Sequence, residues 1–181
     1  MKINKKGFTL IEILVVVLII GILAGIALPQ YKKAVDRSTA AQGISVIKSV
    51  WQSIENYYLL HNDFPTSFND LDVEIPWTGN DGPNLKGVTD TRSNGQWSLQ
   101  LYSDNSSNKA IVITLISGKY TGGNFIIFKN HQTQSARKNT LLCSEWRTGT
   151  YKISKDGLFC KELFNGQLLT IGIRGIYTFQ Q

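Results

Sequence analysis

Histidine, methionine and cysteine are scarce in this chain, which holds two, one and two of them among 181 residues. His61 and His131 lack the neighbouring ligands that a metal centre needs. Cys143 and Cys160 stand 17 apart, which fits neither a C-x-x-C redox pair nor a four-ligand zinc site. That spacing leaves two readings, a disulfide if the region is exported and a pair of buried free thiols. Asp81 and Asp104 sit in polar stretches of the kind that can bind calcium, but no twelve-residue EF-hand pattern surrounds them. Neither G-x-S-x-G, a P-loop nor H-E-x-x-H occurs. The sequence therefore shows no active site, and no catalytic residue, metal or cofactor is expected.

Charge is also sparse, at 18% of residues, and it is unevenly placed. Lys2, Lys5 and Lys6 open the chain with no acid among them, so loss of residues 1–7 would bring the formal charge from +6 to +3. So mild a balance gives little reason to invoke nucleic acid. The run from Lys129 to Asn139 is basic and polar, but such a run reads first as a solvated loop, and DNA binding has no further support.

What the chain does have is one long apolar run. Phe8 to Leu28 is 21 residues with Glu12 as the only charge. As a helix it would span about 31 Å at 1.5 Å per residue, close to the apolar thickness of a bilayer. It is apolar on all sides, which excludes an amphipathic surface helix. The flanking lysines predict a cytoplasmic N-terminus. A secretory signal would end in a small-residue cleavage site and a polar exit. Here Pro29-Gln30-Tyr31 follows, and the pattern continues as a helix.

From Gln30 to about Leu60 the pattern turns amphipathic. Ala34, Ser38, Ala41, Ile44, Ile47, Trp51, Ile54 and Tyr58 recur at spacings of three and four and predict one packing stripe. The inferred element is a single helix of about 50 residues, greasy in its first half and amphipathic in its second. Pro29 falls inside it, where a missing donor favours a kink, and Gly21 weakens the same stretch. Residues 62–95 are rich in Asn, Asp, Gly, Ser, Thr and Pro and read as a long surface loop, with a helical turn at Ser67–Leu71. Strand patterns follow at Gln96–Tyr102, Lys109–Ile116 and Asn124–Lys129, with shorter candidates at Thr150–Ser154 and Gly175–Phe179. The expected class is α+β, a long N-terminal helix packed on an antiparallel sheet.

Gly7-Phe8-Thr9-Leu10-Ile11-Glu12, continued through Gly21, Pro29, Gln30 and Tyr31, resembles the prepilin signature of type IV pilins and type II secretion pseudopilins. The short leader is similar to that of the type IVa group. Glu55 to Pro65 followed by Asp70-Leu71-Asp72-Val73 resembles the helix end and αβ loop of many pilins, and the two cysteines resemble the pair that bounds their D-region. Gly25 departs from the common alanine, and the 21 residues after Cys160 are a longer tail than many major pilins carry.

The resemblance implies an organisation: leader 1–7, membrane or filament-core helix 8–29, and globular domain 30–181. In that domain the helix ends near 60, the αβ loop covers 61–95, and the sheet with the disulfide-bounded region covers 96–181. It implies cleavage between Gly7 and Phe8 by prepilin peptidase, N-methylation of Phe8, and a Cys143–Cys160 disulfide. It also implies a charge pair between Glu12 and the Phe8 amine of a neighbouring subunit. A carboxylate in a membrane segment costs about 2.5–3.5 kcal/mol by insertion scales, so it is usually kept for a function. The plain alternative is a helix cap or a side chain reaching the interface. The implied partners are other copies of the chain, the peptidase, the inner-membrane assembly platform and the inner membrane itself. The implied course runs from single-pass inner-membrane protein to extracellular filament. The implied roles are adhesion, twitching motility or DNA uptake. The alternatives are a type II secretion pseudopilin and a binding domain on a single-pass anchor.

Overall fold

The computed structural model of the protein describes residues 7–104, 108–130, 138–170 and 174–178. It divides into two compact units, residues 1–39 and 40–181. Helix α1, Leu10–His61, supplies residues to both.

In the first unit, every large apolar side chain from Phe8 to Leu28 is exposed, Phe8 by 82% and Leu10 by 78%. Nothing in the described chain covers this surface, as the pattern of a helix apolar on all sides requires. α1 is helical on both sides of Pro29.

The second unit is built on a seven-stranded antiparallel sheet. Its strands are β1 (Val88–Ser93), β2 (Trp97–Ser103), β3 (Lys109–Leu115), β4 (Gly123–Asn130), β5 (Leu141–Trp146), β6 (Gln167–Thr170) and β7 (Arg174–Thr178). Their order is β1-β2-β3-β4-β5-β7-β6. Strand alternation sends Trp97, Leu99, Leu101, Ile111, Ile113, Phe125, Ile127 and Cys143 to one face. There they meet Ala40, Ile47, Val50 and Ile54 of α1, together with residues of a short helix α2, Cys160–Phe164. The opposite face carries a smaller cluster of Ala110, Val112, Ile126, Phe128 and Leu142.

Gly43 decides which side of α1 faces the sheet. A Cβ there would lie 2.6 Å from a ring carbon of Trp97, so only glycine lets the indole rest on the helix backbone. The packing stripe accordingly runs through Ala40, Gly43, Ile47, Val50 and Ile54. The sequence pattern had it start at Ala34, Ser38 and Ala41, and these three are exposed. From Ile44 onward the two stripes coincide, with Ile47 and Ile54 buried and Ile44, Trp51 and Tyr58 half-buried.

The stretch expected to be a surface loop is irregular chain over most of its length, but part of it packs on the core and its end is strand β1. Phe64 and Phe68 are 3% exposed, and Leu71, Val73, Ile75 and Trp77 pack partly buried against the same cluster. These four alternate with Asp72, Glu74, Pro76 and Thr78, which are exposed, so the segment is extended with a period of two. The helical turn is present as a 3₁₀ turn, Phe68–Asp70, capped by Ser67 and Asp70. Asp90 of β1 ties the turn to the sheet by accepting from Ser67 Oγ and the Phe68 N–H, both at 2.8 Å. Thr150–Ser154, expected as a strand, is turn and irregular chain; its one ladder-like contact is the Ile153 N–H to the Trp146 carbonyl.

Candidate functional site

Gly7 and Phe8 precede the helix, are exposed, and are not helical. The junction between them is thus exposed, and a side chain at position 7 would meet nothing within 4 Å. α1 begins at Leu10, and Glu12 lies in its first turn. Thr9 and Glu12 close on each other. Glu12 Oε2 accepts from the Thr9 N–H at 2.8 Å and from Thr9 Oγ1 at 2.6 Å. The Glu12 N–H reaches Thr9 Oγ1 at 3.4 Å. This is a capping box, with a Thr and a Glu three residues on satisfying donors that the first turn leaves orphaned.

The helix cap given above as the plain alternative for Glu12 is present in the single chain, and the T-x-x-E spacing of Thr9 and Glu12 is its signal in the sequence. In the single chain, therefore, Glu12 caps its own helix. Glu12 Oε1 makes no hydrogen bond among the described residues. Gly21 and Pro29 lie further along α1 in the same exposed stretch, with open space around Gly21. The leader lysines Lys2, Lys5 and Lys6 lie outside the described residues.

A second constellation sits in residues 143–166. Cys143 of β5 and Cys160 at the start of α2 form a disulfide, with Cα atoms 5.7 Å apart. The reading as free thiols is therefore set aside. Around the bridge, Phe125, Phe159 and Phe164 pack with ring centroids 5.2, 5.7 and 5.5 Å apart. Phe159 lies directly on Gly123, where a Cβ would come within 2.4 Å of its ring. Sequence reasoning missed Glu145, which is fully buried and accepts three backbone N–H bonds from the loop.

The remaining candidates are engaged structurally. Asp104 accepts from Tyr102 Oη, the Asn108 N–H and Asn108 Nδ2. His61 stacks on Tyr57 at 4.1 Å. Lys129 pairs with Glu55 at 2.7 Å and lies over the Tyr58 ring. The rest of that basic run, including His131, falls mostly outside the described residues. Among the described residues, no group of three or more His, Cys, Asp or Glu is placed to hold a metal ion.

Asp63, just beyond α1, has its carboxyl held below the usual 3.8, first by the hydrogen bond from Lys109 at 2.5 Å and then by the Phe64 N–H.

Comparison with known proteins bears on the first constellation. Residues 2–28 match the family model described as the prokaryotic N-terminal methylation motif. Type IV major pilin protein PilE1 of Neisseria gonorrhoeae is 35% identical over 100 residues, 55% of this chain and 45% of that protein. Type IV major fimbrial protein FimA of Dichelobacter nodosus is 39% identical over 94 residues, 50% of this chain and 56% of that one. The chain thus spans about half the length of the curated relatives it matches. These relatives are structural proteins, and no enzyme family is indicated. The chain thus carries the N-terminal methylation motif and, over about half of its length, is similar to type IV major pilins.

Proposed function

We propose that the protein is the structural subunit of an extracellular type IV pilus, serving adhesion, twitching motility or DNA uptake. In this reading prepilin peptidase cuts between Gly7 and Phe8, and the new amine of Phe8 is methylated. The assembly platform then draws the helix out of the inner membrane into a filament of identical subunits. The observation that carries the reading is a single acid in the first turn of a helix whose large apolar side chains from Leu10 to Leu28 are all exposed.

Each such side chain favours burial by about 1.5–3 kcal/mol. A surface of this kind needs lipid or copies of itself around it. Both environments are apolar, and in both an isolated carboxylate is costly. Thr9 offsets part of that cost through Glu12 Oε2, and the other oxygen is left for the Phe8 ammonium of a neighbour. Cap and charge pair are therefore compatible roles. Gly21 and Pro29 supply points where the helix can bend as it passes from bilayer to bundle. The disulfide weighs toward pilin over pseudopilin, as the resemblance implies.

The test is the intact mass of protein recovered from sheared filaments. The expected product begins at Phe8 and carries one added methyl group. A filament subunit starting at Met1, or a secreted protein starting beyond Ala24, would overturn the proposal.

A further inference from the structure

Glu145 stands on β5 two residues from Cys143, on the same face of the sheet, with no exposure. Its Oε2 accepts from the Gly157 N–H at 2.7 Å, and its Oε1 from the N–H groups of Phe159 and Cys160 at 2.8 Å each. A buried carboxylate is tolerated only where donors surround it, and buried N–H groups likewise need acceptors. Here each side satisfies the other. Cys160 is therefore tied to β5 twice, through its Sγ to Cys143 and through its main chain to Glu145. The two ties differ in what they require. The disulfide needs an oxidant, whereas the carboxylate needs only the folded sheet. The same turn is also fastened by packing, since Leu158, Phe159 and Cys160 are all buried.

We propose that Glu145 is a positioning residue for the disulfide: it docks the 157–160 turn on β5 while both cysteines are still thiols, so that the loop closes first and the bridge follows. Oxidation then proceeds by exchange with an external disulfide. One cysteine thiolate attacks it, forms a mixed disulfide and releases one external thiol. The second cysteine, already held beside the first, attacks that mixed disulfide, forms the Cys143–Cys160 bond and releases the second external thiol. Two electrons and two protons pass from the protein to the oxidant. Docking accelerates only the second, intramolecular step, because only that step depends on the distance between the two sulfurs. This assignment is independent of the filament reading.

The test uses the full chain in detergent micelles, reduced and then mixed with glutathione disulfide, acid-quenched over time and resolved by mass. Wild type should pass quickly through the mixed disulfide. In Glu145→Ala the closing step should be at least tenfold slower, with the first step not slowed. Glu145→Gln should fall between, because an amide keeps one acceptor oxygen but turns donors toward the Gly157 N–H. A residue that merely stabilises the fold would lower the melting temperature without changing the closing rate, and equal closing rates would overturn the proposal. Should Glu145→Ala fail to fold, hydrogen exchange on reduced wild type decides. Protected amides at Gly157, Phe159 and Cys160 are expected, and exchange at the rate of free chain would refute docking before oxidation.

Discussion

Gly43→Ala tests the claim that a missing side chain sets the helix–sheet contact. Glycine inside a helix costs about 1 kcal/mol relative to alanine, so the substitution should stabilise α1 wherever there is room. At Gly21 and Gly25 an added Cβ meets nothing within 4 Å. At Gly43 it would stand 2.6, 2.8 and 3.0 Å from three carbons of the Trp97 ring. The indole has little freedom to retreat. It is 3% exposed, paired across the sheet with Leu115, and 6.4 Å from the Phe125 ring. Overpacking costs about 1–3 kcal/mol, and with the indole held on all sides the cost here falls at the upper end, about 2–3 kcal/mol. Set against the helix gain, the net loss should be about 1–2 kcal/mol, lowering the melting temperature by roughly 2–8 °C for a chain of this size. The assay is thermal unfolding of the full chain in detergent, followed by far-UV circular dichroism with the disulfide intact. Gly21→Ala is the control and should not lower the transition. Trp97→Phe should relieve much of the Gly43→Ala cost, so the double variant should be more stable than the sum of the two single losses. A Gly43→Ala protein that melts at or above wild type would refute the reasoning.

Three further outcomes follow from the structure. Glu12→Ala should insert in the membrane normally and be cleaved at Gly7, yet be depleted from sheared filaments; an immunoblot of the two fractions checks it, and normal filament yield would leave Glu12 as a cap alone. Because the Asp63 carboxyl is held low in the fold, its pair with Lys109 contributes stability above the ordinary 3.8 that is lost as pH falls through the lower folded value; Asp63→Asn should therefore be less stable than wild type at pH 6, and the two should converge in acid unfolding curves. Thr114 is fully buried in the cross-strand row Ser98, Thr114, Asn124 and Ser144, and its hydroxyl has no partner among the described residues; Thr114→Val should be neutral or stabilising in chemical denaturation, and a loss above about 1 kcal/mol would show that the hydroxyl is bound in solution.

The parts of the fold legible in the sequence are those where one periodicity governs a whole element. The long helix was expected to end near residue 60 and ends at His61, and β2, β3 and β4 fall within a residue of their predicted bounds. β1 was hidden because its residues, Val-Thr-Asp-Thr-Arg-Ser, are mostly polar. They are polar because Asp90 binds the 3₁₀ turn and Ser93 takes the Asp81 N–H, so hydrogen bonds replace apolar packing. β5 was hidden by Glu145, an acid on a core-facing position whose partners come from a turn twelve or more residues away. The segment from Leu71 to Trp77 does alternate, but its acids and Pro76 gave it the composition of a loop. At the N-terminus, the motif showed which residues matter, and the T-x-x-E spacing held the geometry of the cap.

Glu12 and Glu145 make the clearest contrast in the molecule, because both put a carboxylate where the surrounding pattern is apolar. Glu145 uses both oxygens on three backbone donors in its own chain and is sealed from solvent. Its demand is met within the fold, which suits a structural role. Glu12 commits one oxygen to Thr9 and leaves the other without a bond among the described residues, on a stretch of helix, Leu10–Leu28, whose large apolar side chains are all exposed. Placing such a group in lipid or in a bundle of helices leaves an acceptor that no described residue of the same chain satisfies, and a neighbouring molecule could. In the proposed filament subunit, cleavage would make the Phe8 ammonium the cation nearest in sequence, and within one chain it would stand just ahead of the turn that Glu12 caps. Between chains offset along a filament, one chain's amine can meet the next chain's open oxygen. Losing one partner of such a desolvated pair costs about 3–5 kcal/mol, because the other stays buried and unpaired. That penalty falls on assembly and not on insertion, where removing a charge makes the segment more apolar. The fraction in which Glu12→Ala is lost, filament or membrane, therefore distinguishes a pairing carboxylate from a capping one.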